Sequence, residues 1–456
     1  MFRTLRWPRA RRESGVRHDD IQGNVIRPYA LSLTAHQFLQ FPDAARGRAW
    51  LDQMLASVTT AERWDSKPTY SCNVAFTFSG LCALRTPATV LASFPTAFRD
   101  GMAARADLLG DTGSCAPSTW EEGFGTGAAH VLVTTHALDP TALSERLDQL
   151  RVLAVAHGVG ILSEHQGARL PDSKEHFGYV DGIGQPALAN SGVPTYGEGD
   201  VGMFERWHNV PAGEIFHGHI DDDGYPSPAP PAPFGHNGTF VVWRKLQQDV
   251  ARFRTWIHEQ ASSLGMDESL LRAKLMGRWD DGTPLALSPE GPNTAIASDA
   301  DRRNAFDYRD DPDGFRCPLG AHIRRTNPRA SLGFGDALTG RHRILRRGTT
   351  YGPPLPPGVT VDDGQDRGIF FVAFMADIER QYELIQRVWC NDGDTVGVGH
   401  DPDPIVGRPI VTGEHKMTIP GPTPRFVSPL ARVVTTRGGE YLWMPSITAL
   451  RALASL

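Results

Sequence analysis

The chain has 456 residues, about 40% of them apolar, so it can bury a large core; its length alone allows one to three domains. With 46 basic and 52 acidic residues it carries a net charge of −6, which excludes a nucleic-acid binder held by a basic surface. Thirty-five Pro and 47 Gly predict many turns and long loops, but the apolar content is too high for global disorder. No window of 18 apolar residues exists, so no membrane-spanning helix is expected. The opening MFRTLRWPRARRESGVRHDD carries Arg11-Arg12, followed by Glu13 and then polar residues instead of the apolar stretch of an export signal. Residues 1–18 read as a basic tail. Five cysteines (Cys72, Cys82, Cys115, Cys317 and Cys390) form no CxxC and read as free thiols of a reducing cytoplasm.

Along the chain a strand followed by an amphipathic helix recurs four times. The first strand is predicted over Tyr29–Ala35, with a helix over Pro42–Leu55. A strand over Tyr70–Phe78 turns Cys72, Val74, Phe76 and Phe78 to one side. The second unit is a strand over Val131–Thr135 and a helix capped by Asp139 with Pro140 in its first turn, carrying Leu143, Leu147 and Leu150. The third is Thr239–Leu246 followed by a helix from Asp249 with Val250, Phe253, Trp256 and Ile257. The fourth is Gly368–Phe374 followed by Ile378, Tyr382, Ile385 and Trp389 at helical spacing. Asp221–Gly235 is Pro-rich and can be neither helix nor inner strand. These units predict two α+β halves, 19–220 and 236–456, with 221–235 as the linker. The terminal SITALRALASL reads as a last amphipathic helix.

Three segments look unlike ordinary core or surface. In His176–Pro186, Gly178 and Gly182 flank Asp181 among apolar Phe177, Val180 and Ile183. A carboxylate in apolar company can move protons; alone, a turn in which Asp181 caps backbone N–H groups is the commoner meaning. In Cys317–Arg329, His322 follows Gly320 and Ala321, small residues that would let a flat group approach the imidazole. Such a histidine suits iron ligation, although a lone histidine is more often a satisfied side chain at the end of an element. In Arg343–Gly352, an extended reading puts Ile344 and Arg346 on one face and Leu345 and Arg347 on the other. An inward arginine needs an anion or a ligand; the bland alternative is a basic exposed loop.

Together, in this order, the segments resemble the dye-decolorizing peroxidase family. Gly178–Gly182 is similar to its glycine–two residues–aspartate–glycine motif, and His322 through Arg329 to its "His-Ile-Arg … Asn-Pro-Arg" haem-ligand context. Arg346, 24 residues after His322, stands at its distal arginine. Asp19–Val25, Arg367–Phe371 and Asp403–Gly407 add to a resemblance that runs from about residue 19 to 407, closest to the larger, class V-type members. Two positions depart from the family pattern: Val180 stands where a basic or other polar residue is common, and Gly184 where serine is common.

The resemblance implies an α+β fold of two ferredoxin-like halves with antiparallel sheets, in the dimeric α+β barrel-like superfamily, with haem b mainly against the second half. It implies a cytoplasmic haem peroxidase, monomeric or homodimeric, that uses hydrogen peroxide to oxidise dyes, phenolics or other organic donors through a ferryl porphyrin radical. His322 would ligate iron, Asp181 would shuttle the peroxide proton, and Arg346 would stabilise the charge that develops on O–O cleavage. Ile369 and Phe371 would wall the distal pocket. Asp403 is expected to take the other nitrogen of His322, with Asp377 and Glu379 as rivals. Arg324 and Arg329 are expected at haem propionates, or else on surface carboxylates. Trp389 and Trp443 are candidate relays to bulky donors. A specialised oxidase of one metabolite, or a haem-binding or iron-release protein on the same fold, is the alternative.

Overall fold

The computed structural model describes residues 15–192, 200–201, 207–332, 337–408 and 415–456. The expected tail before residue 15 lies outside them. Its first half runs β1 (Leu33–Gln40), α1 (Ala44–Leu55), β2 (Tyr70–Phe76), β3 (Val131–Ala137), α2 (Pro140–Ala156) and β4 (Gly160–Ala168). Asp43 and Asp139 cap the two helices, accepting the N–H groups of Arg46 and Ala142. The strands pair antiparallel in the order β4-β1-β3-β2.

The second half repeats the plan. β5 (Thr239–Gln248) leads into α3 (Val250–Leu264) and α4 (Glu268–Met276). After a long irregular stretch come α5 (His322–Thr326), β6 (Leu345–Arg346), β7 (Thr349–Tyr351) and β8 (Gly368–Met375). The helix α6, wound as two π-helical segments (Ile378–Glu383 and Ile385–Cys390), precedes β9 (Val434–Met444) and α7 (Ile447–Ala454). The order β9-β5-β8-β6 matches β4-β1-β3-β2, and the two runs join where Trp443 of β9 meets Phe76 of β2. At the far edges β4 comes up against β7: Thr350 Oγ1 donates to the Ala168 carbonyl at 2.5 Å. A Cβ on Gly167 would lie 2.6 Å from the Thr350 carbonyl, so this approach needs glycine. The sheet therefore curls almost into a barrel, whose edges are covered instead of exposed.

The barrel interior is aromatic. Trp243 stacks on Phe370 and Phe124, with Phe38, His36 and His165 around it. A second core, built on Phe253, Trp256 and Leu271 under the later half, backs the His322 segment.

Several expected strand boundaries move, most of all those of β1 and β2. β1 begins at Leu33, not Tyr29, because Ala30 has φ of 52° and breaks the extension; it runs on to Gln40 because both its faces are covered, His36 by the aromatic barrel interior and Gln37 by Glu164, which Arg151 of α2 holds. β2 ends at Phe76: Thr77 accepts the Gly80 N–H and starts a short helix over Phe78–Ala83, so Phe78 leaves the strand. Among the described residues no helix is long and apolar enough to cross a membrane.

Candidate active site

His322 opens α5, directly after Ala321. Its Nδ1 lies 2.8 Å from Oδ2 of Asp403, whose side chain is fully buried. The other oxygen of Asp403 accepts the N–H groups of Ile405 and Val406, both at 2.8 Å. Burial pulls the Asp403 carboxyl up, but His322 and these N–H donors outweigh it and hold the group below the ordinary carboxylate range. An ionised Asp403 puts the ring proton on Nδ1 and leaves Nε2 with its lone pair. The rivals are engaged elsewhere: Asp377 caps α6, and Glu379 pairs with Arg105 at 3.3 Å.

What brings His322 to Asp403 is Arg325, which sequence reading passed over. It is wholly buried and donates to the carbonyls of Trp389, Asp392 and Asp401, tying α5 to the end of α6 and to the irregular segment that carries Asp403. Arg324 and Arg329 also turn inward. Arg324 donates to Asp311 and to the Cys317 carbonyl and lies 4.3 Å over the Tyr308 ring, which leaves it holding the loop before His322 instead of a propionate. Arg329 grips the carbonyls of Asn304 and Phe306 and covers the Phe306 ring. A run of arginines marks a charge-rich segment, but not which of them faces backbone carbonyls.

On the other side, Gly178 (φ 97°) and Gly182 (φ 75°) shape a turn that only glycine enters without strain. Asp181 stands exposed on it; its N–H donates to the Ser173 carbonyl, and its Oδ1 accepts the Gly182 N–H. The expected apolar company is not there. Phe177 stacks on Phe253 at 4.3 Å within the second core, and Ile183 packs toward Gly282. Arg346 joins the same loop: its Nη2 donates to the Gly184 carbonyl at 2.8 Å and its backbone N–H to Gln185 Oε1 at 2.9 Å. Because that contact uses a backbone carbonyl, glycine at 184 preserves it. Asn304 Nδ2 holds the Ile183 carbonyl at 2.7 Å, and Arg278 holds Asn304 in turn. Gln185, Asn304 and Arg278 carry no motif of their own, and sequence reading did not single them out.

Arg346 pairs with Ala373 across β6 and β8, so the two share a face, and alternation adds Ile369 and Phe371 to it. Ile369 and Phe371 are half-buried on this inner strand, while their neighbours Gly368, Phe370 and Val372 are buried. An inner strand with an incompletely covered apolar face suits a flat apolar group laid against it. Trp389 and Trp443 are only 3% and 0% exposed, so neither meets a bulky donor directly at the surface.

A buried carboxylate–imidazole pair, an aspartate on a glycine-flanked turn and an arginine bonded to the loop that follows it make up the residue set of a haem-peroxidase type of site on an α+β barrel. Residues 20–168 match the family described as "DyP dimeric alpha+beta barrel domain". The chain is 30% identical over 485 residues to the "Multifunctional dye peroxidase DyP2" of Amycolatopsis sp., covering 99% of this chain and 98% of that protein. It is 29% identical to "Peroxidase 2" of Mycetinis scorodonius, covering 97% and 88%. Two solved structures superpose along nearly the whole length. One is an ancestral D-type dye-decolorizing peroxidase (TM-score 0.84, 28% identity, 96% of this chain and 99% of that one). The other is a dye-decolorizing peroxidase in complex with 2,6-dimethoxyphenol (TM-score 0.83, 26% identity, 96% and 99%). The chain belongs to the dye-decolorizing peroxidase family, a family of haem enzymes, and is an oxidoreductase of the peroxidase class.

Proposed function

We propose that this protein binds haem b through His322 and uses hydrogen peroxide to oxidise organic donors, dyes and phenolics among them. The observation that carries the reading is the His322–Asp403 pair: a buried anion fixes the tautomer and leaves one imidazole nitrogen for a metal. The donor set fits the group. A neutral imidazole with an anionic partner suits iron, and the incompletely covered apolar face at Ile369 and Phe371 suits a flat apolar macrocycle.

When bound, haem would supply the redox centre that holds the two oxidising equivalents of hydrogen peroxide until the donor takes them up. The chain's residues supply the rest. Asp181, exposed at its turn, takes the proton from one peroxide oxygen and gives it to the departing one. Arg346, held by Gly184 and Gln185, keeps a positive charge where negative charge develops. Asp403 keeps His322 oriented and electron-rich. Ile369 and Phe371 limit what reaches the distal side. We further propose that the halves divide at 221–235, supported by β1–β4 all lying before that segment and β5–β9 all after it.

The test is turnover: haem-reconstituted protein with peroxide and 2,6-dimethoxyphenol, beside His322→Ala. The expected result is a Soret band and phenol oxidation in the first, and neither in the second. A Soret band without peroxide-dependent oxidation in the wild type would reject the peroxidase reading for this chain.

A further inference from the structure

The turn that presents Asp181 is held from behind by a buried carboxylate that the reaction itself does not use. Glu175 is 8% exposed. Its Oε2 accepts the Phe177 N–H at 2.9 Å and Gln248 Nε2 at 2.6 Å; its Oε1 accepts the Tyr179 N–H at 3.0 Å. The Glu175 N–H donates to the Tyr179 carbonyl, and the Gly178 N–H to the Glu175 carbonyl. On α4, Arg272 donates to the Phe177 carbonyl at 2.7 Å while pairing with Asp280. Seven of the ten backbone N–H and C=O groups from 175 to 179 thus meet a named partner.

Gln248 ends β5, and its neighbour Gln247 pairs with Gly368 at the start of β8. The Glu175–Gln248 bond therefore ties the Asp181 turn to the two strands whose face carries Ile369 and Phe371. Among the described residues Gln248 Oε1 has no partner, so the bond to Glu175 is what its buried amide makes. Both oxygens of Glu175 are occupied by these donors and point into the protein, which leaves neither for a substrate.

We propose that Glu175, through Gln248, is a positioning residue for the peroxide reaction: it fixes the pose of the 177–181 turn, and with it Asp181, against the β5–β8 face. The inference rests on the reading of Asp181 as the proton-transfer group. Without Glu175 the two turn N–H groups would need water, and the turn would sample several poses. A displacement of about 1 Å in a reacting group can cost on the order of 100-fold. Glu175→Gln keeps the size but offers one acceptor oxygen where two are used, and it turns an NH2 toward a backbone N–H.

The experiment compares the haem-loaded wild type with Glu175→Gln, Gln248→Leu and Asp181→Asn. It reads Soret absorbance per protein, the second-order rate with hydrogen peroxide, and the KM for 2,6-dimethoxyphenol. Glu175→Gln is expected to keep its Soret band and its donor KM within about twofold, while the peroxide rate falls about 10- to 100-fold. Gln248→Leu is expected to lose about 3- to 10-fold in the same step. A wild-type peroxide rate in loaded Glu175→Gln overturns the proposal, as does a loss spread equally over rate and donor KM. If Glu175→Gln fails to fold or load, Gln248→Leu decides, and a wild-type rate there overturns it. A wild-type rate in Asp181→Asn defeats the reading of Asp181 instead; collapse in Asp181→Asn beside an unaffected Glu175→Gln defeats only the positioning role.

Discussion

The two sides of the site are built on opposite plans. On the His322 side everything functional is deep: Asp403 is sealed, Arg325 is sealed, and His322 itself exposes only 19% of its side chain. On the Asp181 side the carboxylate proposed to move the proton stands exposed on a turn, and Arg346 is half-buried at the end of a two-residue strand. A metal ligand must be fixed in position and in protonation state, and a buried anion does both. A proton-transfer group must reach a small substrate, so it sits at the open edge and borrows rigidity from residues behind it, here Glu175, Gln185 and Asn304.

The contrast can be broken most forcefully at His322. His322→Ala is expected to abolish the Soret band after reconstitution; a retained band of wild-type position would move the ligand elsewhere. Next comes Asp181→Asn, expected to keep haem but to slow the peroxide reaction by about 10²- to 10⁴-fold, read by rapid mixing. Arg346→Leu is expected to lose about 10²- to 10³-fold in the same step with donor KM little changed. Asp403→Asn acts through His322 and is expected to cost about 10- to 100-fold in haem affinity or activity, measured by haem titration.

The smallest effect sharpens the comparison through pH. Asp403 titrates below the ordinary carboxylate range, so the stability it contributes is present above that range and is lost as pH falls through its lowered value. Glu175 is pushed up by burial, only partly offset by Gln248 and the turn N–H groups, so its contribution has the opposite sign: stability is greatest at low pH and declines as pH rises through its raised value. Urea midpoints against pH are therefore expected to fall less steeply toward acid in Asp403→Asn than in the wild type. In Glu175→Gln they are expected to decline less toward neutral pH.

Much of this was legible in the sequence where side-chain pattern and structure share a cause. The caps at Asp43 and Asp139, the apolar run of β8 and the last helix at Ile447–Ala454 follow from local chemistry. The Asp403 assignment followed from family resemblance and coincides with the geometry at His322. What escaped depended on distant contacts. The polar residues His36 and Gln37 hide the second half of β1, because the barrel interior buries the first and the Glu164–Arg151 pair beside α2 covers the second. Arg325, Gln185 and Asn304 act through backbone carbonyls and N–H groups far along the chain, a partnership that residue type does not announce. The expected apolar shell of Asp181 failed because adjacency in sequence is not adjacency in space: Phe177 faces Phe253, while Asp181 faces out.

The division of labour between the two sides is tested most directly by mixing one equivalent of hydrogen peroxide with fully haem-loaded wild type and Asp181→Asn, and following the Soret band. The account predicts an immediate spectral change in the wild type and a change slowed by at least about 100-fold in the variant at equal haem content. An equally fast change in both would contradict it, because the exposed carboxylate would then have no part in the peroxide step.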